Sequence, residues 1–564
     1  MINLAEKPYN LSEKEINIIQ NKLANMSQQE KIGQLFFGIA PDEQHVNLAE
    51  YINKYQPGGL MFRPGPAESI KRQILTMQAA SSIPLFFAAN LEAGGNGIIS
   101  EGTWIGNPLQ IAATDDLDNA YQLGNVAGFE AAQVGCNMAF SPIVDIDYNF
   151  KNPITNTRTF GSDPQRVLEM SKAQISGFNE NHIIPTIKHF PGDGVDERDQ
   201  HLLSSINSLS ADEWLNTYGN IYQSLIEDGV PCVMIGHIYQ PAMEKLIDPQ
   251  MTLADHLPAS ASEKLINQVL RNKLGFNGLA ITDATPMVGY NVIMPRKDLL
   301  PTTINAGIDM ILFNKNIDED YAIITDAVNN GIISSERLDE AVTRILATKL
   351  SQGLMDTDGK FINTIPAELE LETEQHLEIA HKIATQSITL VKDRDKLIPI
   401  SPEKTPRVRL VVLGDSDEGG FKEGGKVTDH FKEGLAQLGF EVSMFHMDFH
   451  EIFEEGSTDL QAKFDLAIYV ANVETASNQT TTRINWIQLM AANSPWFCQS
   501  IPTLFISTAN PYHLFDVPYI STYINAYSGN IPSIQAVLRK ITGKETFEGI
   551  NPVDPFCGDF IAKL

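Results

Sequence analysis

Short apolar runs alternate with longer segments of helical periodicity along the N-terminal part of the chain. The apolar runs predict strands at 35–39, 59–62, 84–88, 138–140, 183–187, 232–235, 279–282 and 310–313. Helices are predicted between them at 68–80, 120–134, 164–179, 211–227 and 262–272, after two N-terminal helices that begin near Ser12 and Ser27. About eight strands in such alternation are typical of a closed parallel sheet, so this region is predicted to be a (β/α)8 TIM-type barrel.

A second alternating set follows a polar stretch. Residues 355–373 contain glycine, proline and several acids, and they are predicted to form an interdomain linker. A helix at 374–386 and apolar runs at 408–413, 442–445, 466–471, 503–507 and 523–526 then predict an open, mostly parallel sheet. The 564 residues exceed what one hydrophobic core usually covers. The predicted organisation is a barrel domain over 1–355, a linker over 356–373 and a smaller α/β domain over 374–564.

Ionisable residues lie at the C-terminal ends of five predicted barrel strands. They are Glu92, Asp145, Lys188, His189, His237 and Asp283. Active sites of TIM barrels are built at this rim, so the pattern predicts a polar site there. Asp283 directly follows an apolar run and is a candidate catalytic carboxylate. Its structural alternative is an Asp that caps the next helix.

The segment 188–201, KHFPGDGVDERDQH, concentrates charge directly after an apolar strand. Pro191, Gly192 and Gly194 require an irregular loop. Asp199 and His201 stand two apart, so the carboxylate can orient one imidazole nitrogen while the other faces a substrate, as in a general acid/base pair. The alternative is a solvated loop that contains such a pair by chance.

The same segment resembles the signature KH(F/I)PGxGxxxxDxH of the beta-N-acetylglucosaminidases of glycoside hydrolase family 3. The resemblance implies that Asp199 and His201 form the acid/base dyad and that Lys188 and His189 bind the sugar. Segment 275–289, GFNGLAITDATPMVG, is similar to the family's (I/F)(T/S)D strand, which implies that Asp283 is the nucleophile. Three positions depart from the family pattern. Asp193 stands where many relatives have His, Gln200 where they have a small hydroxyl residue, and Ala284 where they often have Asp.

Further segments resemble the family's sugar-binding motifs. NPITNTRTFGSDP at 152–164 implies a sugar-binding Arg158, and VMIGHI at 233–238 implies that Met234 and His237 line the pocket. ANLEAGGNG at 89–97 resembles DxEGGxVxR, but Asn90 replaces the Asp and no basic residue stands at the Arg position. We therefore expect Asn90 and Glu92 to face a glycone that can be modified at its 4- or 6-position. SITLVKD, TANPYHLFDVP and AYSG resemble parts of the family's α/β/α sandwich domain.

The net charge, the cysteines and the lack of long apolar segments limit the partners, the cysteine chemistry and the location that we expect. The formal net charge of −29 argues against nucleic acid or an anionic membrane as a partner. The four cysteines have neither metal-ligand nor redox spacing and are predicted to be reduced core residues. The N-terminal segment lacks the pattern of a signal peptide, and no apolar run is long enough to span a membrane, so a cytoplasmic protein is expected.

The resemblance implies an exo-acting, retaining hydrolase that needs neither metal nor cofactor. We expect it to release terminal β-linked N-acetylglucosamine, or a modified form, from a small amino-sugar glycoside such as one derived from cell wall or chitin. Three alternatives stay open: a beta-glucosidase, a phosphorylase that uses the same residues, and a catalytically silent sugar-binding protein. The oligomeric state is not predicted.

Overall fold

The structure is a computed structural model that describes residues 2–415 and 426–564 of the chain. The chain divides into two compact units. The first contains the residues up to Trp104, Ala120–Tyr148 and Pro164–Glu374. The second contains Ile105–Asn119, Asn149–Asp163 and Gln375–Leu564. The second unit therefore takes two short segments from the N-terminal half of the sequence.

Helices and strands follow one another along most of both units. The α-helices are α1 Glu13–Asn25, α2 Gln28–Gln34, α3 Leu48–Tyr55, α4 Ala67–Ala80, α5 Pro108–Ala113, α6 Leu117–Val134, α7 Pro164–Glu180, α8 Ala211–Trp214, α9 Asn220–Asp228, α10 Pro241–Ile247, α11 Val288–Asn291, α12 Arg296–Asn305, α13 Ile317–Asn329, α14 Ser335–Ser351, α15 Glu374–Ser387, α16 Thr428–Gln437, α17 Phe449–Glu454, α18 Ser457–Lys463, α19 Ile531–Ile541 and α20 Phe560–Lys563. The strands are β1 Phe36–Ile39, β2 Gly59–Met61, β3 Phe86–Ala89, β4 Met138–Ala139, β5 Ile184–Phe190, β6 Ser205–Ile206, β7 Cys232–Ile235, β8 Ile238–Tyr239, β9 Leu279–Thr282, β10 Ile311–Leu312, β11 Thr389–Asp393, β12 Arg407–Leu413, β13 Glu441–Met444, β14 Leu466–Ala471, β15 Thr503–Ser507 and β16 Thr522–Asn525. Turns of 3-10 helix occur at Gly95–Gly97, Asn156–Arg158, Leu253–Asp255, Ala259–Ala261 and His513–Phe515, and π-helical turns at Leu215–Gly219 and Lys264–Lys273.

The first unit is built on a parallel sheet in the order β10-β1-β2-β3-β4-β5-β7-β9. A parallel bridge between Ile281 and Met310 connects the two ends of this order. The ring of Phe37 packs against those of Phe86 and Phe140, with centroids 6.3 and 5.4 Å apart, as in the filled core of a barrel. The predicted (β/α)8 TIM-type barrel is confirmed.

The first two helices begin where the sequence predicts. The Ser12 and Ser27 side chains each accept a hydrogen bond from the backbone N–H three residues on, of Glu15 and Glu30. Those glutamates reach back to the backbone N–H of the serines, which completes a capping box at each start. The predicted helix at 211–227, by contrast, is interrupted by the π-helical turn Leu215–Gly219. A 3.6-residue apolar pattern carries no signal for such an insertion.

A buried carboxylate links elements at the N-terminal end of the barrel strands. Asp309 stands just before β10, and its side chain is fully buried. It pairs with Arg271 at 2.8 Å, Arg337 at 2.9 Å and Arg344 at 3.3 Å, and it accepts the backbone N–H of Ala280 at 3.0 Å. Burial raises the pKa of Asp309, but the three guanidinium groups outweigh it and hold the pKa below its usual value.

The second unit contains a sheet in the order β11-β16-β15-β14-β12-β13. The pairs are parallel except β11 with β16, which is antiparallel. Alternate strand residues enter two separate cores, with Ile468 and Ile506 in one and Tyr469 and Phe505 in the other. A sheet with a core on each face is the predicted α/β/α sandwich, which is confirmed.

The described residues also bear on two other predictions. Within residues 2–415 and 426–564, no helix has the length and apolar character that crossing a bilayer requires. All four cysteines are free thiols. Cys136 and Cys232 are buried, which raises the pKa of each thiol to about 12, whereas Cys498 and Cys557 are partly exposed.

Candidate active site

The barrel rim collects the polar residues that the sequence placed at strand ends. Asn90 and Glu92 follow β3, Asp145 follows β4, His237 follows β7 and Asp283 follows β9, while Lys188 and His189 lie near the end of β5. Because the strands are parallel neighbours, their C-terminal ends lie along one edge of the closed sheet. These residues are therefore held on rigid elements around one opening.

Asp283 lies at the centre of this group and is 5% exposed. Its Oδ1 accepts the backbone N–H of Ala284 at 2.7 Å. Its Oδ2 is buried, has no hydrogen-bond partner among the described residues, and lies 3.8 Å from Nε2 of His189. Burial raises the pKa of Asp283, but the nearby imidazoles, that of His189 most, outweigh burial and hold the pKa below its usual value. The carboxylate is therefore ionised at neutral pH with one oxygen available for chemistry.

Asp145 orients His189 toward Asp283. Its Oδ2 lies 2.7 Å from Nδ1 of His189, and its Oδ1 accepts the backbone N–H groups of His189 and Asp193 at 3.1 and 2.8 Å. Because Asp145 can only accept, Nδ1 of His189 carries the proton of this bond. Nε2 is left to face Asp283.

Lys188 forms a buried ion pair beside this group. Its Nζ donates to Glu92 Oε1 at 2.7 Å and to Asn90 Oδ1 at 3.4 Å. The side chains of Lys188 and Glu92 are almost fully buried. An ion pair with an amide beside it offers both donors and acceptors to sugar hydroxyls.

Asp199 and His201 form the pair that the sequence predicted. Asp199 Oδ1 accepts the backbone N–H of His201 at 2.8 Å and lies 2.6 Å from His201 Nδ1. Asp199 is buried, while the His201 side chain is 19% exposed. The carboxylate fixes Nδ1 as the protonated nitrogen, so Nε2 is the nitrogen that can exchange a proton with a bound molecule.

His237 is a neutral imidazole behind Asp283. Its complete burial lowers the pKa from 6.5 to about 4, although the Asp283 carboxylate opposes this shift. Nε2 donates to the Ala284 carbonyl at 3.2 Å, so Nδ1 accepts from the Ser260 hydroxyl at 2.9 Å. His237 therefore fixes the backbone next to Asp283.

Two other predicted residues have different surroundings. Met234 lies within β7 and is buried, as expected of a pocket wall or of core. Arg158 belongs to the second unit, in the turn Asn156–Arg158, where Nη1 donates to the Ile154 carbonyl at 3.2 Å. The roles of both residues stay predictions.

Sequence reasoning missed Tyr218 and Ser260. The Tyr218 hydroxyl donates to the Asp193 carbonyl at 2.5 Å and also lies 3.2 Å from the Ile146 carbonyl oxygen, so it connects the loops after β4 and β5. The sequence carries no signal for this contact, because Tyr218 stands in a helical pattern and its partners are backbone atoms. The described ranges contain no group of three or more His, Cys, Asp or Glu side chains that could bind a metal.

A TIM-type barrel whose rim carries an ionised buried carboxylate, oriented imidazoles and a lysine–glutamate pair is compatible with glycoside hydrolysis. Residues 24–348 match the family model described as Glycosyl hydrolase family 3 N terminal domain. The chain belongs to glycoside hydrolase family 3 and is a glycosidase. The resemblance inferred from the motifs is confirmed.

The chain is similar over its whole length to proteins of more than one specificity. Beta-N-acetylglucosaminidase/beta-glucosidase of Cellulomonas fimi is 41% identical over 567 residues, which cover 100% of each chain. A solved structure of Beta-glucoside phosphorylase BglX bound to 2FGlc is 43% identical, with a TM-score of 0.92 over 99% of both chains. A glycoside hydrolase family 3 beta-N-acetylglucosaminidase from Paenibacillus sp. str. FPU-7 is 22% identical and shares the fold, with a TM-score of 0.77 over 94% of this chain and 99% of that one.

Proposed function

We propose that this glycosidase is exo-acting and retaining, with Asp283 as the nucleophile and His201 as the acid/base. The observation that carries the proposal is Oδ2 of Asp283, a buried oxygen of an ionised carboxylate without a hydrogen-bond partner in the described chain. Leaving such an oxygen unpaired costs free energy, which is the expected cost of a nucleophile held ready for a sugar carbon.

The first step forms a glycosyl-enzyme. Asp283 Oδ2 forms a bond to the anomeric carbon while the bond to the leaving oxygen breaks, and the bond's electron pair goes to that oxygen. Nε2 of the protonated His201 gives its proton to the same oxygen. Asp199 lies 2.6 Å from Nδ1 and stabilises the imidazolium, so Nε2 is the nitrogen that donates the proton.

The second step reverses these roles. The neutral His201 accepts a proton from an incoming water, whose oxygen bonds to the anomeric carbon as the bond to Asp283 breaks. The product keeps the β configuration, and both residues return to their starting states.

The proposed glycone is a terminal β-linked N-acetylglucosamine or glucose. The double name of the Cellulomonas fimi relative supports both sugars. Lys188, Glu92, Asn90 and His189 are proposed to bind its hydroxyls. Residue 90 is a neutral Asn where the family pattern has Asp, so Glu92 is the carboxylate that pairs with Lys188 in this group. This change of a sugar-binding position is compatible with a glycone altered at its 4- or 6-position.

A second candidate is phosphorolysis, in which phosphate replaces water. The 43% identity to Beta-glucoside phosphorylase BglX across 99% of both chains favours it. A neutral imidazole does not repel an incoming phosphate as a carboxylate base would. The same Asp283 and His201 would then yield a glycosyl phosphate.

A trapping experiment tests the nucleophile. An activated 2-fluoro-glucoside should label the protein once, and the mass of a digest should place the label on Asp283. The Asp283→Ala variant should stay unlabelled and lose turnover. A label on another residue would contradict the assignment. Turnover of unfluorinated aryl glycosides with and without inorganic phosphate, with the sugar products identified, separates hydrolysis from phosphorolysis.

A further inference from the structure

The two departures from the family loop pattern contact each other. Gln200 Nε2 donates to Asp193 Oδ2 at 3.4 Å, although the residues stand seven apart in the sequence. Both side chains are almost fully buried. A small hydroxyl residue at 200 is too short to reach this carboxylate, so the contact depends on both departures.

Gln200 also bonds to the backbone just after β7. Its Oε1 accepts the backbone N–H of His237 at 2.8 Å. Because that backbone group can only donate, the amide oxygen faces His237 and the amide nitrogen faces Asp193. Gln200 stands between Asp199 and His201 in the chain, so its side chain connects the acid/base pair to the end of β7.

Asp193 is itself held in place. Its backbone N–H donates to Asp145, its carbonyl accepts from Tyr218, and its Oδ1 accepts the backbone N–H of Gly194 at 2.7 Å. These bonds make Asp193 a rigid partner for the Gln200 amide.

The backbone of the acid/base segment packs against the start of α11. The Val288 backbone N–H donates to the His201 carbonyl at 3.0 Å. A Cβ added to Gly289 would lie 2.2 Å from the Gln200 carbonyl oxygen. The segment therefore contacts α11 through its backbone and His237, just after β7, through the Gln200 side chain.

We infer that Gln200, paired with Asp193, is a positioning residue that holds His201 and Asp199 in their catalytic arrangement over Asp283. The inference rests on the proposed role of His201. Gln200 does not touch the reacting atoms; it acts through the backbone of its two neighbours. Displacement of a catalytic group by about 1 Å can cost on the order of 100-fold in rate.

The test changes the side chains of Gln200 and Asp193 so that their hydrogen bond is first lost and then restored. Gln200→Glu keeps an oxygen for the His237 N–H but places a carboxylate against Asp193. Asp193→Asn in the same chain restores an N–H donor to that contact. Gln200→Ser, which carries the family-type residue, removes both contacts and serves as an independent variant. Gln223→Glu is the matched control, because it places a carboxylate beside Glu227 on the exposed α9 pair.

The readout is kcat/KM for paired substrates with the same glycone, one with an activated aryl leaving group and one with a poor leaving group. Gln200→Glu and Gln200→Ser should lose about tenfold to 100-fold on the poor leaving group and much less on the activated one. The Gln200→Glu/Asp193→Asn chain should recover most of that loss, and Gln223→Glu should match the wild type.

Two outcomes would overturn the inference: equal losses on both leaving groups, or an unchanged profile in Gln200→Ser. His201→Ala separates this failure from a failure of the proposed function. If His201→Ala shows the selective loss and Gln200→Ser does not, the positioning role of Gln200 is wrong and the proposed function stands. If His201→Ala loses equally on both substrates, the acid role of His201 is wrong.

Discussion

At the scale of single residues, the site depends on the balance between burial and nearby imidazoles. Burial raises the pKa of Asp283, and the nearby imidazoles, that of His189 most, outweigh burial and hold the pKa below its usual value. Burial lowers the pKa of His237 by more than the Asp283 charge raises it, so the His237 imidazole is neutral at neutral pH. A neutral His237 can donate to the Ala284 carbonyl while it accepts from Ser260, which a doubly protonated ring could not do.

The neutral state of His237 predicts a pH dependence of stability. The folded-state pKa of about 4 lies below the ordinary value of 6.5, so between these values the unfolded chain binds a proton that the folded chain excludes. Stability is therefore lost as the pH falls through this window, by about 2 kcal/mol between pH 7 and pH 5. Urea unfolding of the wild type and of His237→Gln at both pH values measures this loss of stability. The wild type should lose more than the variant, and an equal loss in both would contradict the prediction.

At the scale of elements, the barrel separates the groups proposed for chemistry from a buried ion-pair cluster at its other end. The C-terminal strand ends carry Asp145, His237 and Asp283, while Asp309 with its three arginines lies before β10 at the other end. Apolar periodicity predicts the strands, and strand polarity in a parallel barrel then predicts which residues face the mouth. Neither pattern could predict that Arg271, Arg337 and Arg344 share Asp309, because these pairs join residues 28–38 positions apart.

Removal of the shared carboxylate should destabilise the first unit. Asp309→Ala leaves three guanidinium groups buried without their common partner, at a cost of about 3–5 kcal/mol in the free energy of unfolding. Thermal unfolding measures the loss. Asp318→Ala, which removes an exposed carboxylate paired with Lys54, is the control and should change little. Equal melting temperatures for the two variants would show that the Asp309 group does not stabilise the barrel.

At the scale of the whole molecule, the compact units do not follow the order of the sequence. Segments Ile105–Asn119 and Asn149–Asp163 belong to the second unit. Leu109 packs there with Tyr512, Tyr527 and Val553, and Gln110 donates to Ser387 and Ser533 at 3.1 and 2.7 Å. The core of the second unit is therefore completed by residues that precede most of the barrel strands in the chain.

This arrangement predicts that a chain ending at residue 373 will not fold normally. The buried side chains of α5 would lose their apolar neighbours, and Gln110 would lose both hydroxyl partners. We expect the shortened chain to aggregate or to melt well below the full-length protein, and to lack glycosidase activity. Size-exclusion chromatography, circular dichroism and an aryl glycoside assay check this. A monodisperse, active fragment with the melting temperature of the full chain would contradict it.

The sequence by itself determined the two sheets, the helix starts at Ser12 and Ser27, and which polar residues lie at the barrel mouth. These features follow from local patterns, since burial periodicity and capping residues act within a few positions of the chain. Only the tertiary structure decided the unpaired oxygen of Asp283, the contact between Gln200 and Asp193 and the π-helical turn Leu215–Gly219. It also decided that 105–119 and 149–163 belong to the second unit. Each of these depends on atoms brought together across strands or distant segments, and no local pattern encodes such contacts.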